Sequence, residues 1–205
     1  MRHTVLVLCG AVALLAARSA RAQDMPRIGI TMGYPAAVGV MWNAAGRLAL
    51  RPEVTLQGTS TDSSLGDIIL PVNIGSTSDS FQVGVGVSAL IYLSRWDALR
   101  TYVSPRFSYS HASTSGTTVA SSSETTSKSY FTSGSFGAEY LFARHFGVFG
   151  EIGVGYTSTT TTASTTSTVV IISPLPPTLP SATTRTENHL KTWSTRSGVG
   201  VIFYF

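Results

Sequence analysis

Seven charged residues, Arg51, Glu53, Arg100, Arg106, Glu139, Glu151 and Arg196, share one parity when the chain is read with a period of two. Guanidinium and carboxylate groups gathered on one side of a sheet can form a static network of ion pairs, or they can line a narrow charged pore. In a confined space opposite signs should pair, because an unpaired buried charge is costly. Glu139 and Glu151 fall on neighbouring strands of one hairpin, where they could share an arginine. His111-x-Ser113, with Glu124 further on, has the residue types for a serine activated by a histidine. Glu124, however, lies in a Ser/Thr-rich stretch and nothing positions a substrate, so no catalytic residue is assigned. Gly84-x-Gly86-x-x-Ala89 imitates a dinucleotide fingerprint but lies inside an alternating strand and opens no helix. His145 and His189 fall at opposite ends of the chain's strand pattern, too far apart to share a metal. No cofactor or metal is therefore expected.

The elements that must position these groups are strands. No helical periodicity of any length is present, whereas alternation of apolar with small or polar residues predicts strands near 26–34, 36–43, 47–60, 80–94, 99–113, 127–142, 146–161 and 187–205. Leu48, Leu50, Pro52, Val54 and Leu56 alternate with Arg47, Ala49, Arg51, Glu53, Thr55 and Gln57. Phe81, Val83, Val85, Val87, Ala89, Ile91 and Leu93 alternate with Gln82, Gly84, Gly86 and Ser88. Connections are short at 43–46, 95–98 and 143–145, and long at 61–79, 114–126 and 162–186. That rhythm suits an up-and-down barrel with short turns at one end and long Ser/Thr-rich loops at the other.

Period two cannot say which face points outwards, since a soluble ligand-binding barrel would carry the same pattern inverted. Composition decides. Charged residues are 12% of the chain, about half of the ~25% usual for soluble domains, and the polar face is mostly Gly, Ser and Thr. Small residues fit a narrow lumen better than a water-facing surface. Tyr34, Phe81, Tyr109, Tyr130, Tyr156 and Trp193 fall toward one end of their strands, and Trp42, Trp96, Phe142, Phe146, Phe203 and Phe205 toward the other. From Phe146 to Tyr156 a strand tilted by about 40° climbs roughly 25 Å, the height of the apolar band of a membrane barrel.

The first 22 residues read as an export signal: Met1-Arg2-His3-Thr4, an apolar run from Val5 to Ala17, and the small-x-small site Ala20-Arg21-Ala22, which predicts cleavage before Gln23. The apolar run is too short for a spanning helix, and the lone Cys9 leaves with it. Residues 23–205 then form one domain. Three of the 14 basic residues also leave, so eleven remain against ten acidic ones and the formal charge falls from +4 to +1. With those basic residues scattered, a nucleic-acid partner is not supported.

Gly137-Ala138-Glu139-Tyr140-Leu141-Phe142, the turn Ala143-Arg144-His145, the strand Phe146 to Tyr156 and the terminal strand ending at Phe205 together make the chain resemble the small eight-stranded outer-membrane barrels, of the kind that includes the OmpA transmembrane domain and OmpX-like proteins. The resemblance implies an all-β, eight-stranded antiparallel transmembrane barrel in the bacterial outer membrane, in contact with outer-membrane lipid and lipopolysaccharide. It also implies insertion by the barrel assembly machinery reading the terminal strand, with Phe203 and Phe205 as its signal. Architecture does not fix activity. The expectation is a structural or surface-interaction role without catalysis. The alternatives are a narrow porin-like channel and, more remotely, a lipid-modifying hydrolase of the outer membrane. The outer segments 112–129 and 157–168 are expected to be mobile or extended above the membrane, and the apolar, proline-rich stretch 169–180 is a candidate surface ligand contact.

Overall fold

The computed structural model describes residues 28–34, 37–66, 73–96, 98–118, 121–168 and 181–205. The export signal with its cleavage site at Ala20, Ala22 and Gln23, and the proline-rich stretch 169–180, lie outside them. Eight strands follow in order: β1 (Ile28–Tyr34), β2 (Ala37–Ala45), β3 (Leu48–Gly66), β4 (Asn73–Trp96), β5 (Leu99–Thr118), β6 (Ser121–Ala143), β7 (Phe146–Thr168) and β8 (Ser181–Tyr204). Each pairs antiparallel with the next, and β1 pairs with β8 to close the barrel. The short first hairpin is present, with β1 and β2 in register from Ile28↔Trp42 to Gly33↔Ala37.

The apolar face points outwards. Met32, Val40, Leu56, Val85, Ile152, Val154 and Val199 are all exposed, Ile152 at 68%, a surface that water would penalise and lipid accepts. The soluble, inverted barrel is thereby ruled out by orientation. Two aromatic girdles form as the spacing predicts. Tyr109 stacks near Tyr130 and Tyr156 near Trp193, each with ring centroids 5.1 Å apart, at one end. Phe146 contacts Phe142 at 6.0 Å and Phe203 at 5.1 Å at the other.

The long outer loops are not what the sequence reading expects. Strand β3 continues to Gly66 and β4 starts at Asn73; β5 runs to Thr118 and β6 starts at Ser121; β7 runs to Thr168 and β8 starts at Ser181. Most of the segments 61–79, 114–126 and 162–186, and the hydroxyl-rich stretches 112–129 and 157–168, are therefore extensions of the barrel strands. Thr has a high strand propensity, and cross-strand hydroxyl pairs such as Ser129 Oγ···Thr159 Oγ1 at 2.7 Å knit the extension. At ~3.3 Å per residue, β7 is roughly 75 Å long, about twice what a tilted strand needs to cross the apolar band.

Strands β1 and β2 do not follow. The pairing of β2 with β3 ends at Ala37↔Thr55, and that of β1 with β8 ends at Tyr34↔Val199. Beyond those levels β3 to β8 form an open six-stranded sheet. Among the described strands, Leu56–Gly66 of β3 and Ser181–Gly198 of β8 have no partner on their outer edges.

Candidate functional site

The lumen is filled from the short-turn end upwards. Its floor is apolar: Met41, Ala49, Leu90 and Ile202 are fully buried with Tyr92, Tyr102 and Tyr204, and Leu141 and Phe149 pack against them. Large side chains reach across because small ones face them in register. Tyr102 pairs with Gly137, where a Cβ would lie 2.5 Å from the tyrosine ring. Phe149 likewise pairs with Gly200, and a Cβ there would meet the phenyl ring. These glycines are a packing requirement of the filled lumen.

The charges divide into two groups. Near the turns, Glu139 is wholly buried and accepts hydrogen bonds from Tyr204 Oη at 2.6 Å and Tyr92 Oη at 3.0 Å, with Arg100 Nη1 at 3.6 Å. Arg100 and Glu139 are direct cross-strand partners, which is why their heads meet. This pair is electrically balanced.

Higher in the lumen the remaining five form an alternating string. Arg106 Nη2 lies 2.5 Å from Glu53 Oε2, Glu53 Oε1 lies 2.6 Å from Arg51 Nε, and Arg51 Nη2 donates to Glu151 Oε1 at 2.6 Å. The second Glu151 oxygen lies 3.5 Å from Arg196 Nη2, while Tyr102 Oη donates to Oε1 at 3.0 Å. Arg51 is 1% exposed and also lies over the Phe149 ring, 4.8 Å from its centroid, a cation–π contact strengthened by desolvation.

All seven charged residues of the sequence reading thus meet in the lumen. The sharing of one arginine by Glu139 and Glu151 is not found: Glu139 is held by Arg100, and Glu151 by Arg51 and Arg196. Sequence reasoning missed the three lumen tyrosines that complete both carboxylate shells. Parity was the available signal, since Tyr92, Tyr102 and Tyr204 share the side of their strands that carries Ser88, Arg100 and Gly200.

The histidine and serine of the possible hydrolase are on the outer face. In register His111 sits opposite Lys128 and Ser113 opposite Thr126, while Glu124 sits opposite Ser115 and Ser164. His145 Nδ1 donates to the Tyr204 carbonyl at one end, and His189 contacts Thr160 and Glu187 near the other. No cluster of potential metal ligands occurs among the described residues. Phe203 and Phe205 are exposed at the end of β8, 52% and 69% accessible.

No family model matches the chain, and no curated protein matches it in sequence. Among solved structures it is similar to a major outer membrane protein from Thermus thermophilus, with a TM-score of 0.53 and 12% identity over 87% of this chain and 98% of that one. CarO of Acinetobacter baumannii is a more distant match, with a TM-score of 0.40 and 14% identity over 90% of this chain and 100% of that one. The likeness to the Thermus protein is one of fold: the closed eight-stranded barrel is an architecture that outer-membrane proteins use.

Proposed function

We propose that this protein is a bacterial outer-membrane barrel with a non-conducting lumen, a structural and surface-interaction protein without catalysis. The observation that carries this reading is the plug. Arg51, Glu53, Glu139 and Glu151 are buried across a narrow barrel and held by short contacts, with Arg100 beside Glu139 and an apolar floor beneath them. Eight-stranded barrels have an interior just wide enough for side chains to fill. Phe203 and Phe205, at the end of the terminal strand, serve as the signal to the assembly machinery, and the exposed apolar wall contacts lipid and lipopolysaccharide.

With the lumen filled, function moves to the projecting sheet. Its free β3 and β8 edges offer unpaired backbone groups to an extended segment of a partner. The test is planar-bilayer conductance of the refolded protein, with heat-modifiable gel migration on the same sample to report folding. A folded, silent barrel is the expected result. Reproducible current that changes on Glu139→Ala or Arg106→Ala would replace this reading with a narrow channel.

A further inference from the structure

The lumen does not balance its charge. Among the described residues four arginines (Arg51, Arg100, Arg106, Arg196) face three glutamates (Glu53, Glu139, Glu151). The lower pair, Arg100 with Glu139, is neutral, so the surplus positive charge belongs to the upper string Arg106–Glu53–Arg51–Glu151–Arg196. Both ends of that string are arginines. A buried charge without a counter-charge is expensive, and the string as it stands is one anion short of an alternating ring.

Ser133 is bonded to one end of the string and is the register partner of the other. Arg196 Nη1 donates to Ser133 Oγ at 3.2 Å, and Arg106 is the cross-strand register partner of Ser133. Cross-strand partners have their Cβ atoms about 5 Å apart, so the Arg106 side chain leaves the wall beside Ser133 while its guanidinium crosses over Gly86 to Glu53, and the Arg196 guanidinium reaches Ser133 itself. Their side chains, 14% and 12% exposed, are the most accessible of the charged side chains bridged within the lumen. Above them the next inward positions are Ser108 and Ser110 on β5, Phe131 on β6, whose ring lies across Gly155, Thr157 on β7 and Ser194 on β8. In addition, Arg51 Nη1 is buried without an acceptor among the described residues.

We propose that the upper face of the plug is a binding site for a phosphate-type oxyanion, held between Arg106 and Arg196 with Ser133 as an additional donor. A guanidinium presents paired N–H groups that match two oxygens of a phosphate, and two such forks supply both charge and orientation. The anion enters from the open, hydroxyl-lined side of the projecting sheet and closes the alternating ring. The phosphate could belong to a small solute or to a lipid headgroup reaching in where β1 and β2 stop short. Both present the same chemistry. This inference goes beyond the non-conducting reading: a silent barrel that ignores phosphate overturns the anion site and leaves that reading intact.

The test is calorimetric titration of the folded protein in non-ionic detergent, with inorganic phosphate in one arm and dihexanoyl phosphatidic acid mixed into the micelles in the other. Sodium chloride at matched ionic strength is the control. Saturable one-site binding is expected, weakened about tenfold or more by Arg196→Gln, in line with the loss of a charge-assisted hydrogen-bond pair. Arg196→Gln also leaves three arginines against three glutamates, so phosphate should raise the melting temperature of the parent protein and not of the variant. Should Arg196→Gln fail the gel-migration test for folding, Ser133→Ala decides, with an expected few-fold loss. Binding in the inorganic arm identifies a soluble oxyanion, and binding in the phosphatidate arm alone identifies a lipid headgroup. No heat in either arm, an equal effect of chloride, or binding indifferent to both substitutions overturns the proposal.

Discussion

The lower barrel and the upper sheet are made of the same strands, yet they solve opposite problems. Below the level of Thr55 and Val199 the wall is closed, its outer face is apolar and its inner face carries the buried charges. Above it six strands continue with hydroxyls on both faces and two unpaired edges. A membrane leaves no solvent to satisfy a free backbone edge and so favours closure, whereas water tolerates an edge. The first hairpin is short: its described pairing with β8 ends at Val199, six residues below Trp193 of the upper girdle. The remaining strands run past that girdle, so the sheet above it serves something other than anchorage.

The strongest way to break the contrast is to remove the centre of the plug. Glu151 neutralises Arg51 and Arg196 and accepts the Tyr102 hydroxyl. Glu151→Ala should cost about 3–5 kcal/mol, because it removes one of the two carboxylates paired with a fully buried Arg51 and leaves only Glu53 on it. Guanidinium unfolding in micelles, followed by heat-modifiable migration, reads this directly. A loss under about 1 kcal/mol would mean that water already reaches Arg51 and that the lower lumen is not sealed.

A second test uses one substitution at two heights of one strand. Ile152 and Thr162 lie on the same outward face of β7, opposite Ser197 and Glu187 of β8. Ile152→Lys should destabilise by about 2–4 kcal/mol, as a lysine near the membrane midplane does, and Thr162→Lys by less than about 0.5 kcal/mol, as an exposed surface change does. Equal costs at both positions would place the two regions in the same solvent and undo the membrane reading.

The sequence disclosed the lower region far better than the upper one. Period-two alternation is strong where one face meets lipid and the other a packed lumen, so the strand count, the girdles and the seven lumen charges were legible from spacing. The extension was not. With both faces wet, Ser and Thr replace apolar residues on both sides, the alternation disappears, and composition alone imitates a disordered loop. What forms the sheet there is the continued register with neighbouring strands, as in Ser127↔Thr161 and Thr162↔Glu187, a pairing no single segment reveals. The tyrosines of the plug were legible by parity, being on the side of their strands that carries Ser88, Arg100 and Gly200. The bulge of β4 against β5 falls only after Tyr92, between Tyr92 and Ser94, so what went unread was that an uncharged aromatic can complete a carboxylate's shell through its hydroxyl.

Those tyrosines allow a finer test of how dry the lower lumen is. Tyr102→Phe keeps the ring that packs edge-on against Tyr92, with centroids 5.7 Å apart, and removes only the hydroxyl given to Glu151. A hydrogen bond to a buried charge is worth about 1.5 kcal/mol or more, so the variant should fold with that loss in the same unfolding assay. An undetectable loss would show that Arg51 and Arg196 alone saturate the carboxylate.

The smallest effect tests the upper sheet on its own terms. Ser129 and Thr159 face the concave side and share a 2.7 Å hydrogen bond between neighbouring strands, half-buried. Water can replace either hydroxyl as a partner, so Ser129→Ala should cost about 0.5 kcal/mol, the low end for a neutral hydrogen bond. The comparison with Tyr102→Phe is the informative quantity. If the two losses are equal, the concave face is as desolvated as the lumen and something packs over it. If Ser129→Ala is several-fold cheaper, the projecting sheet stands in water as a hydroxyl-faced surface held by its backbone ladder, and its free edges are the features a partner would meet first.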